Sequence, residues 1–169
     1  MAKSSHTATV GLAEVEGALE RIKAETTVSG LLRVLCTELV ELLDAQRAVV
    51  SRVIGDLIVE LSDHDSSGGE RALELFLLSD YPLTRDVLET GKPQIVLRED
   101  PAAEPSETAL LEQRGFDSLL LAPLRPLGRS WGLVEIYGDA RGFEQEEIRA
   151  AFALVEGAGE LLPGLEGAA

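Results

Sequence analysis

A chain of 169 residues with 45% apolar and 27% charged side chains is sized and composed for one soluble domain with a full core. Thirty acidic residues against fifteen basic ones give a net charge of −15, which repels nucleic-acid phosphate and the anionic face of a membrane. The opening MAKSSHTATV lacks the apolar run of a signal peptide, and no later run approaches the ~20 apolar residues that span a bilayer, so a cytoplasmic protein is expected.

Leu12, Val15, Leu19 and Ile22 recur every three or four residues among charged ones, which predicts an amphipathic helix and a candidate dimer surface. Thr27 then caps a second helix running to about Asp44, with Leu31, Leu32, Leu35, Leu39 and Leu43 inward. The single cysteine, Cys36, falls among these leucines and reads as a core thiol, unable to form an internal disulfide.

Arg47–Val53 and Leu57–Leu61 are rich in β-branched residues and flank Gly55-Asp56, the signature of a β-hairpin. The polar SDHDSSGGE that follows reads as a surface loop, and LELFLL as a short strand from Leu73 to Leu78, with helix as its competitor. Pro82 at a first helical turn, Gly91 at a left-handed stop and Pro93 beyond it bound a helix over 82–90, followed by the strand QIVL. Ser106 and Gly115 bracket another helix after an exposed acidic loop.

Ser118–Leu124 and Trp131–Tyr137 predict two strands joined by RPLGRS. Phe143 and Ile148 can staple the start of a closing helix around Glu144. Its inward stripe would be Ile148, Phe152, Val155 and Leu162, and Pro163 would stop it.

This order of elements resembles a GAF domain. The resemblance covers Val28 to Leu162 and is carried by AQRAVVSRV, by YPLTRDVLETGKPQIV and by GFDSLLLAPLRPLGRSWGLVEIYGDARGFEQEEI. It implies an α+β fold: an antiparallel sheet of five or six strands, N- and C-terminal helices on one face, short middle helices and loops on the other. The expected organisation is an N-terminal helix over 1–27, the GAF domain over 28–162 and a tail over 163–169. In such domains small molecules, haem, bilins or cyclic nucleotides occupy a pocket between the sheet and the middle helices, while some members act through dimer contacts alone. The candidate ligand residues are Tyr81, Arg85, Leu88, Leu111, Leu121, Glu135 and Tyr137.

Glu135 is the most informative of these, since a carboxylate between Val134 and Ile136 in mid-strand is costly without a partner. Period two places Tyr137 beside it. Either the pair floors a pocket for a cationic or hydrogen-bonding ligand, or Glu135 forms a salt bridge with Arg47 or Arg52. Tyr81, Thr84 and Arg85 open the helix that lids the pocket, whose N-terminus either is simply capped or attracts acidic ligand groups. Asp63, His64 and Asp65 form a carboxylate-histidine cluster, but neighbours in extended chain diverge, so no metal site is expected.

The family's special chemistries find little support in the residues. Trp131-Gly132-Leu133 matches the bilin-binding pattern, yet neither the thiol nor the histidine that would hold a bilin lies nearby. The cysteine set of GAF-fold methionine sulfoxide reductases reduces to Cys36. The chain has no asparagine, which the cyclic-nucleotide signature requires. No catalytic residue and no cofactor can be named. The expectation is a homodimeric sensory or regulatory module that binds a small molecule and signals to a partner protein through its terminal helices. The alternative is a ligand-free dimerisation or docking module, with an enzyme third. A cavity lined by Leu88, Leu111, Leu121, Glu135 and Tyr137 would favour the sensor, and filled space the docking module.

Overall fold

The computed structural model describes residues 10–69 and 71–167. Most of the opening segment, Glu70 of the polar loop and the final two alanines of the tail lie outside the described residues. In chain order the elements are α1 (Leu12–Lys23), α2 (Val28–Leu43), β1 (Arg47–Ile54), β2 (Leu57–Asp65), β3 (Leu75–Leu77), α3 (Pro82–Thr90), β4 (Gln94–Leu97), α4 (Pro105–Arg114), β5 (Ser118–Leu124), β6 (Gly132–Gly138) and α5 (Gln145–Glu166). The strands form one six-stranded sheet in the order β3-β2-β1-β6-β5-β4, antiparallel at every pairing. The last strand returns to the middle and pairs with the first.

Local chemistry sets most boundaries. Thr27 Oγ1 accepts a hydrogen bond from the Gly30 amide at 3.0 Å and so caps α2. Pro82 opens α3, and Gly91, at φ 71°, closes it in the left-handed region that glycine tolerates. The start of α4 corrects the sequence expectation: Glu104 is the capping position and Pro105 the first helical residue. A proline has no amide to satisfy and its fixed φ suits that first turn, so Pro105 begins the helix ahead of Ser106.

Pro163 does not end α5, which continues through it to Glu166. So close to the helix end, proline removes a single backbone bond while its φ remains helical. β3 is shorter than expected because the Leu78 and Ser79 amides turn away to the carbonyl and carboxylate of Asp56, at 2.7 and 2.8 Å. β2 is longer than expected. Val50 pairs with Ser62 while Ser51 pairs with Glu60, so Leu61 is an extra residue. The bulge turns Asp63 onto the same face as Arg47, and their ion pair at 3.2 Å holds SDHD in the sheet.

On one face lie α1, α2 and α5, packed through Leu31, Leu35, Leu39, Leu154 and Leu162 onto Val50, Leu120 and Val134. The inward face of α5 runs through Ala151, Leu154, Val155, Ala158 and Leu162, which leaves Phe152 at its flank and half-exposed. Gly157 allows α1 to approach closely, since a Cβ there would lie 2.6 Å from Leu19. The α1 stripe is therefore used inside the protomer: Ile22 is fully buried, and Val15 and Leu19 pack on the same core. Of the residues expected at a dimer surface, Leu12 alone stays open, at 74% exposure.

The opposite face is covered by α3 and α4, where Val87, Leu88, Leu111 and Phe116 meet Val49, Leu119, Leu121, Leu133 and Tyr137.

Candidate functional site

Beneath α3 and α4 the sheet itself carries buried charge, whereas on the other side the buried carboxylates, Glu38 and Glu147, belong to α2 and α5 and are met by Arg21 and Arg141. Glu60 of β2, Glu107 of α4 and Glu135 of β6 are 3%, 1% and 5% exposed. Burying a carboxylate costs several kcal/mol unless cations or hydrogen-bond donors meet it, and each has part of that requirement met.

Tyr137 donates its hydroxyl hydrogen to Glu135 Oε2 at 2.6 Å, and Arg114 Nη1 donates to the Tyr137 hydroxyl oxygen at 2.7 Å. Arg114 Nη2 reaches Glu60 at 3.1 Å and Glu74 at 3.2 Å. Its guanidinium also lies 5.0 Å from the Phe76 ring centre. Thr84 Oγ1 of α3 donates to Glu107 Oε1 at 2.7 Å, tying the two lid helices together. One arginine at the end of α4 thus bridges β2, β6 and the segment before β3.

The electrostatic consequences follow from burial. Burial pushes the Glu107 carboxyl up to about 7, and nearby Glu135 and Glu104 add to this against the Thr84 hydrogen bond. Burial also raises the Glu135 pKa, opposed by Arg114 and the Tyr137 hydroxyl. Tyr137 is raised well above the usual phenol by burial and then by Glu135. Arg114 keeps its charge: burial works against it, but Tyr137, Glu135 and Glu60 outweigh that.

Between these groups lies a cavity of about 10 Å³ lined by Ile58, Phe76, Tyr81, Thr84, Glu107, Leu110, Leu133 and Glu135. That is about the space of one water, against roughly 300–1,000 Å³ in an open ligand pocket. Phe76 and Tyr81 meet edge to face across its rim, with centroids 5.8 Å apart. Among the described residues, larger hollows are open surface grooves; one of about 480 Å³ runs between the β5–β6 connection and α5, and its charged residues are exposed.

Of the residues expected from sequence, Tyr81 and Glu135 line the cavity. Leu88, Leu111, Leu121 and Tyr137 belong to the packed core around it. Arg85 points outward, 4.0 Å from Asp56, and does not line this cavity; it borders a neighbouring surface groove with Leu88. The expected salt bridge of Glu135 is also corrected. Arg47 engages Asp63, and Arg52 donates to the Trp131 carbonyl at 2.6 Å while stacking on its ring. The cation that serves Glu135, through Tyr137, is Arg114. Sequence reasoning missed Glu107, Arg114 and Glu60, whose roles depend on pairing across elements far apart in the chain.

The GAF domain family profile matches residues 27–159, and the chain belongs to that family. Its fold is similar to the chromophore-binding domain of an unusual bacteriophytochrome from R. palustris, with a TM-score of 0.81 at 16% identity over 93% of this chain and 62% of that one. The chromophore-binding domain of Stigmatella aurantiaca phytochrome P1 gives 0.77 at 16% identity, over 96% and 63%. The phycocyanobilin-bound GAF domain from a cyanobacterial phytochrome gives 0.79 at 18%, over 90% and 95%. The chain therefore spans less than two thirds of the two chromophore-binding domains. No curated protein matches the sequence. At these identities the likeness is one of fold.

The residues present do not fit a covalently held bilin. Cys36 lies in the opposite core, where its thiol donates weakly to the Ser62 carbonyl at 3.7 Å and burial pushes its pKa up to about 12. His64 pairs with Ala48 and so shares the face of the terminal helices. Neither reaches the layer under α3 and α4. Among the described residues no group of three or more His, Cys, Asp or Glu could hold a metal ion, and no helix is long and apolar enough to cross a membrane.

Proposed function

We propose that the chain is a cytoplasmic sensory or regulatory module that binds a small molecule beneath α3 and α4 and passes occupancy to a partner protein through its terminal helices. The observation that carries this reading is the buried polar network of Glu60, Glu107, Arg114, Glu135 and Tyr137 in an otherwise apolar layer. Such a network is expensive to maintain for packing alone, because hydrophobic residues of the same volume stabilise at least as well. It joins the lid to the strands by groups that a ligand can replace. The mechanism is a shift between a closed lid and an open one, driven by a ligand with higher affinity for the second.

The route outward runs along β6, which carries Glu135 and Tyr137 on the site face and packs Val134 and Ile136 against the terminal helices on the other. Homodimerisation is part of the proposal, using Leu12 and the outer faces of α1 and α5 rather than the buried stripe. Binding, not turnover, is the proposed activity.

A second reading, a docking module without ligand, is favoured by the cavity of about 10 Å³. Native mass spectrometry of freshly purified protein separates the two. The sensor predicts a dimer retaining a small molecule, or one that takes up small molecules in solution with a rise in melting temperature. A bare monomer that no small molecule stabilises would overturn the first reading.

A further inference from the structure

Charge in the closed layer is out of balance around the cavity. Glu107 and Glu135 line it together, and each accepts a hydrogen bond through one oxygen, from Thr84 and Tyr137 respectively. Their second oxygens, Glu107 Oε2 and Glu135 Oε1, accept no hydrogen bond from a described residue and are not sealed from solvent, the fully buried unpartnered side-chain atoms among the described residues being Ser51 Oγ and Ser118 Oγ. Arg114 is committed to Tyr137, Glu60 and Glu74, and Arg47 to Asp63.

An independent observation points to the same place. Ser51 is fully buried, and its hydroxyl has no hydrogen-bond partner among the described residues. It stands on the sheet between Leu133, a cavity residue, and Glu60, with which it pairs. Strand alternation puts it on the same face as Val49, beneath the lid. Buried hydroxyls nearly always find a partner. Ser118, on the other face, is the second such hydroxyl among the described residues, and Ser51 is the one on the site face, one strand from the cavity wall at Leu133, where a ligand group can satisfy it. The remaining wall is Ile58, Phe76, Tyr81, Leu110 and Leu133: apolar, with two aromatic rings at the rim.

We propose that the ligand is a compact organic cation, a primary ammonium or guanidinium on a short apolar stem. Its N–H groups lie between Glu107 Oε2 and Glu135 Oε1, and the hydroxyl of Ser51 serves it from the sheet. The inference rests on the small-molecule reading above and adds the ligand's charge. An ammonium has three donors and a guanidinium five, so either satisfies both free oxygens at once, which a neutral alcohol or a carboxylate cannot do. When α4 and the β3–α3 turn move outward, the stem takes over the apolar packing they leave behind, and the rings of Phe76 and Tyr81 attract the same sign of charge.

The test uses n-butylammonium and n-butylguanidinium beside n-butanol and butyrate, which match them in size. Calorimetry gives affinity, and amide chemical shifts at Phe76, Tyr81, Thr84 and Glu107 locate the binding. The expected result is that both cations bind at least about tenfold tighter than the neutral and anionic probes, a difference of about 1.4 kcal/mol. Glu107→Gln and Glu135→Gln should each weaken the cations by a similar factor and leave n-butanol unchanged.

Circular dichroism checks that the variants fold. If they do not, the contrast among the four probes on the unaltered protein decides. Equal binding of n-butanol and n-butylammonium would overturn the cation inference while leaving the small-molecule reading intact. Failure of all four probes to bind would also overturn it, and the broader reading would then be judged by the mass measurement on purified protein.

Discussion

The two faces of the sheet are built to different standards. Beneath α1, α2 and α5 the buried cluster is hydrophobic and continuous. Beneath α3 and α4 the apolar cluster is smaller and shares its layer with Glu60, Glu107, Glu135, Arg47 and Tyr137. The first face repays burial at about 25 cal/mol per Å² across a sheet-facing core without charge, its buried carboxylates Glu38 and Glu147 being paired in the helices with Arg21 and Arg141. The second depends in addition on a polar network in which Arg114, Tyr137 and Thr84 meet buried carboxylates. On one face the sheet is held by packing alone, and on the other by packing together with a polar network.

The largest expected effect breaks the polar face directly. Arg114→Met leaves Glu60 and Glu135 buried without their shared cation, and about 3–5 kcal/mol of stability should be lost in urea unfolding. Adding Glu60→Gln should restore part of it, and no recovery would show that Arg114 acts through packing instead. On the dry face, Leu39→Ala removes a fully buried side chain and should cost about 2–5 kcal/mol. Amide exchange in α3 and α4 should change less in this variant than in Arg114→Met.

A third expectation concerns pH. Because the folded Glu107 carboxyl sits at about 7 against an ordinary 4.5, the folded state binds its proton more tightly than the unfolded chain does. Its contribution is fully present below pH 4.5 and is lost as pH rises through about 7. Compared with Glu107→Gln, the unaltered protein should therefore become less stable across that window, by about 3 kcal/mol at most. A flat difference would show that Glu107 titrates normally.

The smaller effects sharpen the comparison. Thr84→Val removes the donor to Glu107 and should cost about 1–2 kcal/mol, with faster amide exchange confined to α3 and α4. Ser51→Ala removes an unpaired buried hydroxyl and should leave stability unchanged or raise it by about 1 kcal/mol. Destabilisation would mean that the hydroxyl is satisfied in solution.

The dry face was largely legible in the sequence, because its signals are local. The leucine spacing of α2, its cap at Thr27 and the staple of Phe143 and Ile148 each lie within a few residues of one another. The polar face was legible only in outline. Pro82 and Gly91 placed α3, and Glu135 stood out in its strand, but its partners come from elements that sequence cannot bring together. Arg114 looks like an ordinary cation at a helix end, where it also suits the dipole. Glu107 lies in the first turn of a weakly amphipathic helix and reads as solvated. The bulge at Leu61 was invisible too, and with it the extension of β2 that sets Asp63 against Arg47.

Trp131 stands where β6 begins, and its indole N–H donates to Glu166 Oε1 in the last turn of α5 at 2.6 Å. Arg52 lies over its ring at 4.5 Å. It is the sole tryptophan in the chain, so the molecule carries a native fluorophore at the junction of central strand and closing helix. Undocking of that last turn would hydrate the indole and shift its emission to longer wavelength, giving an optical readout of the closing helix without any label.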